Sequence, residues 1–306
     1  MIAHQWTEAR IRRSPGQRPA RLVMVNRKGG SGKTTTTVQL AAVFAAWGAR
    51  VRITDGDPQL ASATYWLPPQ REAPYPTLLD VFMDDSTTLA DITAPTRIPN
   101  VLIAPSLHTL GQVELNRPPG TDTLLQVQYA RSAEDWPADR LGDPPDIELL
   151  DAPGAVGTVT VSMLAAASSV LITQQASTLD RVGNAEFSQT LSLVRQRLNP
   201  ELSIAGVVLV AANRRAELTK TLRAQLRQQY PDARVWTVPY NVRVREAPSV
   251  HQSLIEYAPS NPATEAYWQM GADLVPELGF EWVVKPAQEL REQNQENQQA
   301  DQVEVS

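Results

Sequence analysis

"LVMVNRKGGSGKTTTT", Leu22 to Thr37, is the stretch that decides the fold. Its first residues are apolar and bulky, the pattern of a short buried strand. Glycines at 29, 30 and 32 follow, and "TTTTVQLAAVFAAWG" then reads as a helix ending at Gly48. A glycine loop between a buried strand and a helix lets the backbone approach anionic oxygens without Cβ clashes and aims its N–H groups at them. The spacing departs from the usual phosphate-loop pattern G-x-x-x-x-G-K-[ST]. Arg27 stands where the first glycine belongs, and a second lysine, Lys28, follows at once.

Outward from this loop, apolar runs alternate with helical patterns. "RVRITD", "VLIAP" (Val101 to Pro105), "IELLD" (Ile147 to Asp151), "SVLITQ" (Ser169 to Gln174) and "IAGVVLVAAN" (Ile204 to Asn213) read as strands. Arg181 to Leu198 and Glu217 to Tyr230 read as helices between or after them. Alternation of this kind predicts an α/β fold of the P-loop NTPase type, a mostly parallel twisted sheet flanked by helices on both faces. Glu148 interrupts its apolar run, which places polar groups against one face of that strand. The Pro-rich stretches read as loops inside one domain spanning residues 22–285.

Residues 1–21 carry five arginines (Arg10, Arg12, Arg13, Arg18, Arg21) and one acid, Glu8, and read as a basic flexible leader. Residues 286–306 carry five acids and one base among many Gln and Asn, and read as a disordered acidic tail. The chain has 306 residues, no cysteine and a formal net charge of −5. That excludes disulfides, thiolate zinc sites and iron–sulfur ligation. No apolar run reaches the roughly 18–20 residues of a membrane span, so a cytoplasmic protein without membrane attachment is expected. His4, His108 and His251 are far apart and lack metal-ligand spacing, and Trp47 and Trp66 read as packing residues.

The chemistry concentrates on the loop and three acids. Lys33 is placed to reach the β/γ-phosphates of a nucleotide, Thr34 to set its hydroxyl on Mg²⁺, and Thr35 to add a phosphate contact. The backbone of Lys28, Gly29, Gly30, Ser31 and Gly32 completes the cradle. "RITDGDPQ" supplies Asp55 and Asp57 after one strand, and "IELLDAPG" supplies Asp151 after another. Carboxyl ends of parallel strands face the ligand crevice in such sheets. Asp55 and Asp151 are therefore candidates for the metal, and Asp57 for orienting an attacking water.

"RKGGSGKTTTT", "DGDPQ" and "LLDAPG" together resemble the deviant Walker A ATPases, and within them the ParA or Soj partition proteins. "VPYNVRVREAPS" (Val238 to Ser249) and "LSLVRQRLNPELSIAGVVLV" also resemble their counterparts in that family. The resemblance covers about Leu22 to Leu278. It implies ATP and Mg²⁺ as cofactors and a homodimer that closes on ATP. It implies that Lys28, with Lys33 and Asp57, is catalytic, reaching across the dimer to the partner's phosphates. It places Asn213, Pro239 and Asn241 near adenine. It also implies a ParB-like centromere-binding partner, nonspecific DNA as the other partner, and a nucleoid-associated location.

Between Asn213 and Arg245 there are eight bases and two acids. Arg214, Arg215, Lys220, Arg223, Arg227, Arg243 and Arg245 are the candidate DNA contacts. Lys220, Arg223 and Arg227 fall at i, i+3 and i+7, one helix face. Two other expectations stand beside partition: an ATPase of this fold that positions a cargo other than DNA, and a small-molecule ligase using the same site.

Overall fold

The computed structural model describes residues 6–26, 28–59, 62–176, 183–212 and 217–286, without the side chains of 183–186. Ten strands are numbered in chain order: β1 (Arg10–Arg13), β2 (Ala20–Val25), β3 (Val51–Asp55), β4 (Ala94–Pro95), β5 (Val101–Ala104), β6 (Ile147–Asp151), β7 (Ser169–Gln175), β8 (Ser203–Ala212), β9 (Arg234–Pro239) and β10 (Phe280–Val284). The longer helices are α1 (Lys33–Ala46), α2 (Leu124–Glu134), α3 (Thr158–Ala166), α4 (Gly183–Arg197), α5 (Glu217–Gln229) and α6 (Pro262–Glu277).

Eight strands form one sheet in the order β4-β5-β3-β6-β2-β7-β8-β9, parallel except for the short edge strand β4. Helices cover both faces, as the alternating pattern requires. Side chains alternate across the sheet with the period of two. On β2, Leu22 and Met24 enter one core with Phe44 of α1 and Trp268 of α6. Val23 and Val25 enter the other with Met163 of α3 and Phe187 of α4. Among the described residues no helix is long and apolar enough to cross a membrane.

The order of the central strands fixes the active end. β6 lies between β3 and β2, with Asp55 opposite Asp151 and Arg52 opposite Glu148. Arg21 of β2 stands opposite Glu148 on the other side. Glu148 is thus flanked by two arginines on neighbouring strands. Arg52 donates from Nε and Nη2 to its two oxygens at 2.8 and 2.7 Å, and from Nη1 to Ser132 Oγ at 3.0 Å. The polar interruption in β6 is therefore half of a fully buried, bidentate ion pair.

The leader is not a free arm over its described part. β1 pairs antiparallel with β10, and Trp6 is fully buried, stacked on Trp268 with ring centroids 6.0 Å apart. Trp47 donates its indole N–H to Trp6 O at 2.9 Å. The physical reason is that Trp6, Ala9 and Ile11 supply apolar surface that the arginine count conceals. The first sheet strand accordingly starts at Ala20 rather than Leu22. The tail expectation for 287–306 lies outside the described residues.

Removing one partner of a buried ion pair strands the other's charge. Arg52→Met is expected to destabilise the fold by about 3 kcal/mol, Arg21 sparing part of the loss. Adding Glu148→Leu should recover most of it, as read by urea unfolding of both variants.

Candidate functional site: the glycine loop and its carboxylates

The loop runs from the end of β2 into α1. Gly30 and Gly32 adopt φ of 73° and 89°. A Cβ at Gly32 would also lie 2.9 Å from the methyls of Val210, so both backbone angle and space demand glycine there. Asn26 ties the loop down: its Nδ2 donates to Thr173 O, and its Oδ1 accepts the Lys28 N–H at 2.9 Å. Ser31 Oγ lies 3.3 Å from Thr173 Oγ1. Helix α1 has no side-chain cap and no acid in its first turn. Its first amides and positive dipole end are thus left for an anion.

The two lysines occupy opposite environments. Lys33 is 4% exposed, whereas Lys28 is exposed at the mouth of the loop. Burial lowers the Lys33 pKa, and Asp151 and Asp57 push it back up. Its Nζ lies 3.4 Å from Lys28 O. Gly154, in the "DAPG" turn, comes so close that a Cβ there would sit 3.6 Å from Gly29 N and 3.9 Å from Lys33 Nζ. The turn after β6 thus closes over the loop after β2.

Asp55 and Asp151 are both fully buried side by side. Burial raises both carboxyl pKa values, and the charge of Asp55 raises Asp151 further. Their partners differ. Asp55 Oδ2 accepts Thr64 N at 2.8 Å and Thr64 Oγ1 at 2.5 Å, and its Oδ1 accepts Asp57 N at 3.0 Å. Both Asp55 oxygens are therefore engaged in ordering the loop that carries Asp57. Asp151 Oδ1 accepts Thr37 Oγ1 at 3.3 Å, while its Oδ2 is buried without a partner among the described groups. The neighbouring Thr34 side chain and the Lys33 charge counter part of the rise in the Asp151 pKa. An orphaned carboxylate oxygen beside a helix-start threonine and a buried lysine fits a magnesium-bound phosphate. Of the two acids expected at the metal, Asp55 thus has both oxygens engaged within the protein, while Asp151 keeps one without a partner among the described groups.

A cleft of about 530 Å³ opens over the loop. Gly29 to Thr35, half-buried Asp57, Pro239 and Asn241 line it, together with Tyr65, Tyr240 and Arg245. Arg245 packs on Tyr240, 5.7 Å from the ring centroid, so it belongs to the cleft wall and not to the α5 face. Asn213, Arg214 and Arg215 lie outside the described residues. Lys220 is held by Glu217 at 2.6 Å, and Arg243 by Glu246 at 2.9 Å. Arg227 is exposed and Arg223 half-buried on α5.

Two contributors had little signal in the sequence. Tyr65 is a lone aromatic. Glu114 accepts the N–H groups of Thr158 and Val159 at 2.9 and 3.2 Å, capping α3 from outside. A Cβ at Gly157 would lie 2.4 Å from its Oε1. The bare start "GTVTVS" shows that the helix needs an acid, but not which one. Glu114 fixes the far side of the "DAPG" turn that covers Lys33. Among the described residues no cluster of three or more His, Cys, Asp or Glu could hold a metal by itself, so any cation here shares its ligands with the bound anion.

Strand, glycine loop, uncapped helix and strand-end carboxylates define a P-loop nucleotide-binding protein with a parallel sheet. The model of the AAA domain family matches residues 20–204. The chromosome partitioning protein ParA of Caulobacter vibrioides is 31% identical over 256 residues, 83% of this chain and 93% of that protein. The chromosome-partitioning ATPase Soj of Thermus thermophilus is 34% identical over 256 residues, 83% of this chain and 95% of that protein. Among solved structures, apo McdA from Cyanothece has a TM-score of 0.72 at 21% identity, covering 83% of this chain and 99% of that one. The chain belongs to the ParA/Soj family of ATPases within this AAA-domain group.

Lys33→Ala removes the only buried cation of the described loop. It is expected to weaken magnesium-nucleotide binding at least a hundredfold, as titration calorimetry would show, while the melting temperature without nucleotide holds or rises.

Proposed function: an ATP-closed dimer that holds DNA

We propose that the protein is a partition ATPase whose ATP-bound dimer binds DNA without sequence preference and lets go on hydrolysis. The observation that carries the proposal is the opposite placement of the two lysines. Lys33 is buried against its own subunit's carboxylates; Lys28, five residues earlier and next to the cleft-lining Gly29, is exposed. A lysine outside its own phosphate cradle is positioned to serve a facing subunit. The exposed side chains of Tyr65 and Tyr240 on the same cleft give that second subunit apolar surface to cover.

In this reading ATP and Mg²⁺ bind at the loop. The amides of Gly29 to Thr35 and the Lys33 ammonium hold the phosphates, and Thr34 and Asp151 hold the cation through its oxygen shell. Magnesium neutralises charge on the phosphates and on the Asp151 carboxylate that burial otherwise disfavours. Asp57, half-buried on the cleft wall with its N–H donating to Asp55, would accept a hydrogen bond from a water at the γ-phosphate side and so orient that water for attack. Lys28 of each subunit adds positive charge to the other's transferring phosphoryl group, which ties turnover to dimerisation. Pro239 and Asn241 flank the base. The γ-phosphate then acts as a switch ligand for the closed state.

DNA is the proposed cargo, held by the α5 face. Arg223 and Arg227 share that face with Lys220 above buried Leu222 and Leu226. Phosphate contact of this kind is sequence-independent and salt-sensitive. A ParB-like centromere-bound partner would accelerate hydrolysis and so open the dimer, moving DNA before division. The names of the ParA and Soj relatives support this choice.

Sedimentation velocity with ATP and Mg²⁺ tests the dimer. The wild type should sediment as a dimer and Lys28→Ala as a monomer that still binds nucleotide; an ATP-dependent dimer in Lys28→Ala removes the trans role. For the cargo, Arg223→Glu with Arg227→Glu should weaken duplex-DNA binding at least tenfold at low salt and flatten its salt dependence. Unaltered binding there would take DNA off α5.

A further inference from the structure

Three arginines that the nucleotide cleft does not use converge at the other end of the sheet. Arg13, Arg18 and Arg21 line a cavity of about 630 Å³ beside the starts of β2 and β6. Its volume falls within the ~300–1,000 Å³ common for small-molecule sites. Pro19, Tyr129, Pro144 and Pro145 give it apolar wall.

The charge in this cavity is only partly compensated. Glu148 also lines it, but both its oxygens are taken by Arg52. No carboxylate among the described residues forms an ion pair with Arg13, Arg18 or Arg21. Glu134 at the rim is the remaining acid of the lining, so an excess of two positive charges stays behind. Arg21 is braced rather than satisfied. Its guanidinium sits 5.5 Å from the centroid of the Tyr129 ring. Its Nε–H is shielded from solvent and has no acceptor among the described groups. A sheltered guanidinium donor with no partner destabilises the fold until an acceptor arrives.

We propose that this cavity is a second ligand site, for a phosphate-bearing small molecule of nucleotide size. Guanidinium forks match phosphate oxygens in geometry and charge. Three of them, with Glu148 held by Arg52 and Glu134 at the rim, still exceed what a single monoanion would neutralise. A bare phosphate would leave most of the space, and all of the proline and tyrosine wall, without contact. The concave shape favours a discrete ligand over the ridge of a duplex backbone. Arg21 lies on β2, the strand that ends in the glycine loop, and faces Glu148 on β6, the strand that ends in Asp151. The site is therefore separate from the nucleotide cleft and built on the same two strands.

Calorimetry without magnesium tests it, in Lys33→Ala protein so that the nucleotide cleft does not compete. Cytidine diphosphate and pyrophosphate are the probes. Saturable binding of cytidine diphosphate at one site per chain is expected, at least tenfold tighter than pyrophosphate. It should weaken at least tenfold in Arg18→Ala, an exposed position whose loss spares the fold, and disappear when Arg21→Gln is added. No binding of either probe at millimolar concentration overturns the proposal, as does affinity unchanged in both Arg13→Ala and Arg18→Ala. Pyrophosphate binding as tightly as cytidine diphosphate overturns the nucleotide-sized ligand. If the small probes fail while Arg13→Ala and Arg18→Ala weaken duplex-DNA binding, the arginines are DNA-backbone contacts instead.

Discussion

Parallel pairing of β2, β6 and β3, in that lateral order, is the constraint on which both ends of the molecule depend. Because the three strands run the same way, each residue type placed early in one strand meets its counterpart early in the next. Arg21, Glu148 and Arg52 line up near one end, and the glycine loop, Asp151 and Asp55 at the other. Between them the strands carry only apolar or small side chains into two cores. A shift of one residue in any of these pairings would turn the charged side chains from one face to the other. The register is thus held from both directions, by hydrophobic alternation and by the buried Arg52–Glu148 pair.

The two ends solve the problem of buried charge differently. At the early end, Glu148 finds a bidentate guanidinium, and the pair is nearly self-sufficient. At the late end, Asp55 is satisfied by backbone and threonine donors, while Asp151 keeps an oxygen without a partner beside a lysine that burial disfavours as a cation. That end is incomplete as protein alone. A ligand bringing both negative phosphates and a divalent cation would satisfy Lys33, the uncapped start of α1 and Asp151 together. Such a ligand binds the native state and not the unfolded chain, so it stabilises the fold by mass action. Its γ-phosphate would then decide whether the loop and "DAPG" turn close as one surface.

Much of this was legible in the sequence because it is local. The glycine loop, the alternating elements and the strand-end acids are each read within about ten residues. Helices α1, α4 and α5 and strands β3, β5, β6, β7 and β8 stand within a residue or two of their expected bounds, whereas α2, α3, α6 and β4 had no expected bounds. What was not legible depends on distant partners. β1 and β10 are separated by most of the chain and pair only because Trp6 stacks on Trp268 and Ile11 packs inward. An arginine count cannot show that burial. Asp55 and Asp151 look alike as strand-end acids; Thr64 and the Asp57 N–H distinguish them, by filling both oxygens of the first and neither of the second. Arg245 belongs by sequence to a basic run, yet its packing on Tyr240 takes it to the cleft.

Net charge is a poor guide to partners for the same reason. The chain is acidic overall, with a formal charge of −5. Screening at physiological salt has a length of about 8 Å, so acids on one face barely weaken cations on another. What matters is which cations lack a carboxylate within reach. Lys220 and Arg243 have one; Arg234 has Asp273 and Glu277 at 3.2 and 3.3 Å. Arg13, Arg18 and Arg21 have none among the described residues, and Arg21 is sheltered as well, which strengthens its pull on an anion by lowering the local dielectric. Judged this way, a count of eight bases over a stretch of chain says less than each cation's own partners: on α5 Lys220 is paired, whereas Arg223, like Arg21, keeps a sheltered Nε–H without an acceptor among the described groups. The α5 cations, spread along one helix face, suit a salt-sensitive surface contact. Those that converge on one cavity suit a discrete ligand.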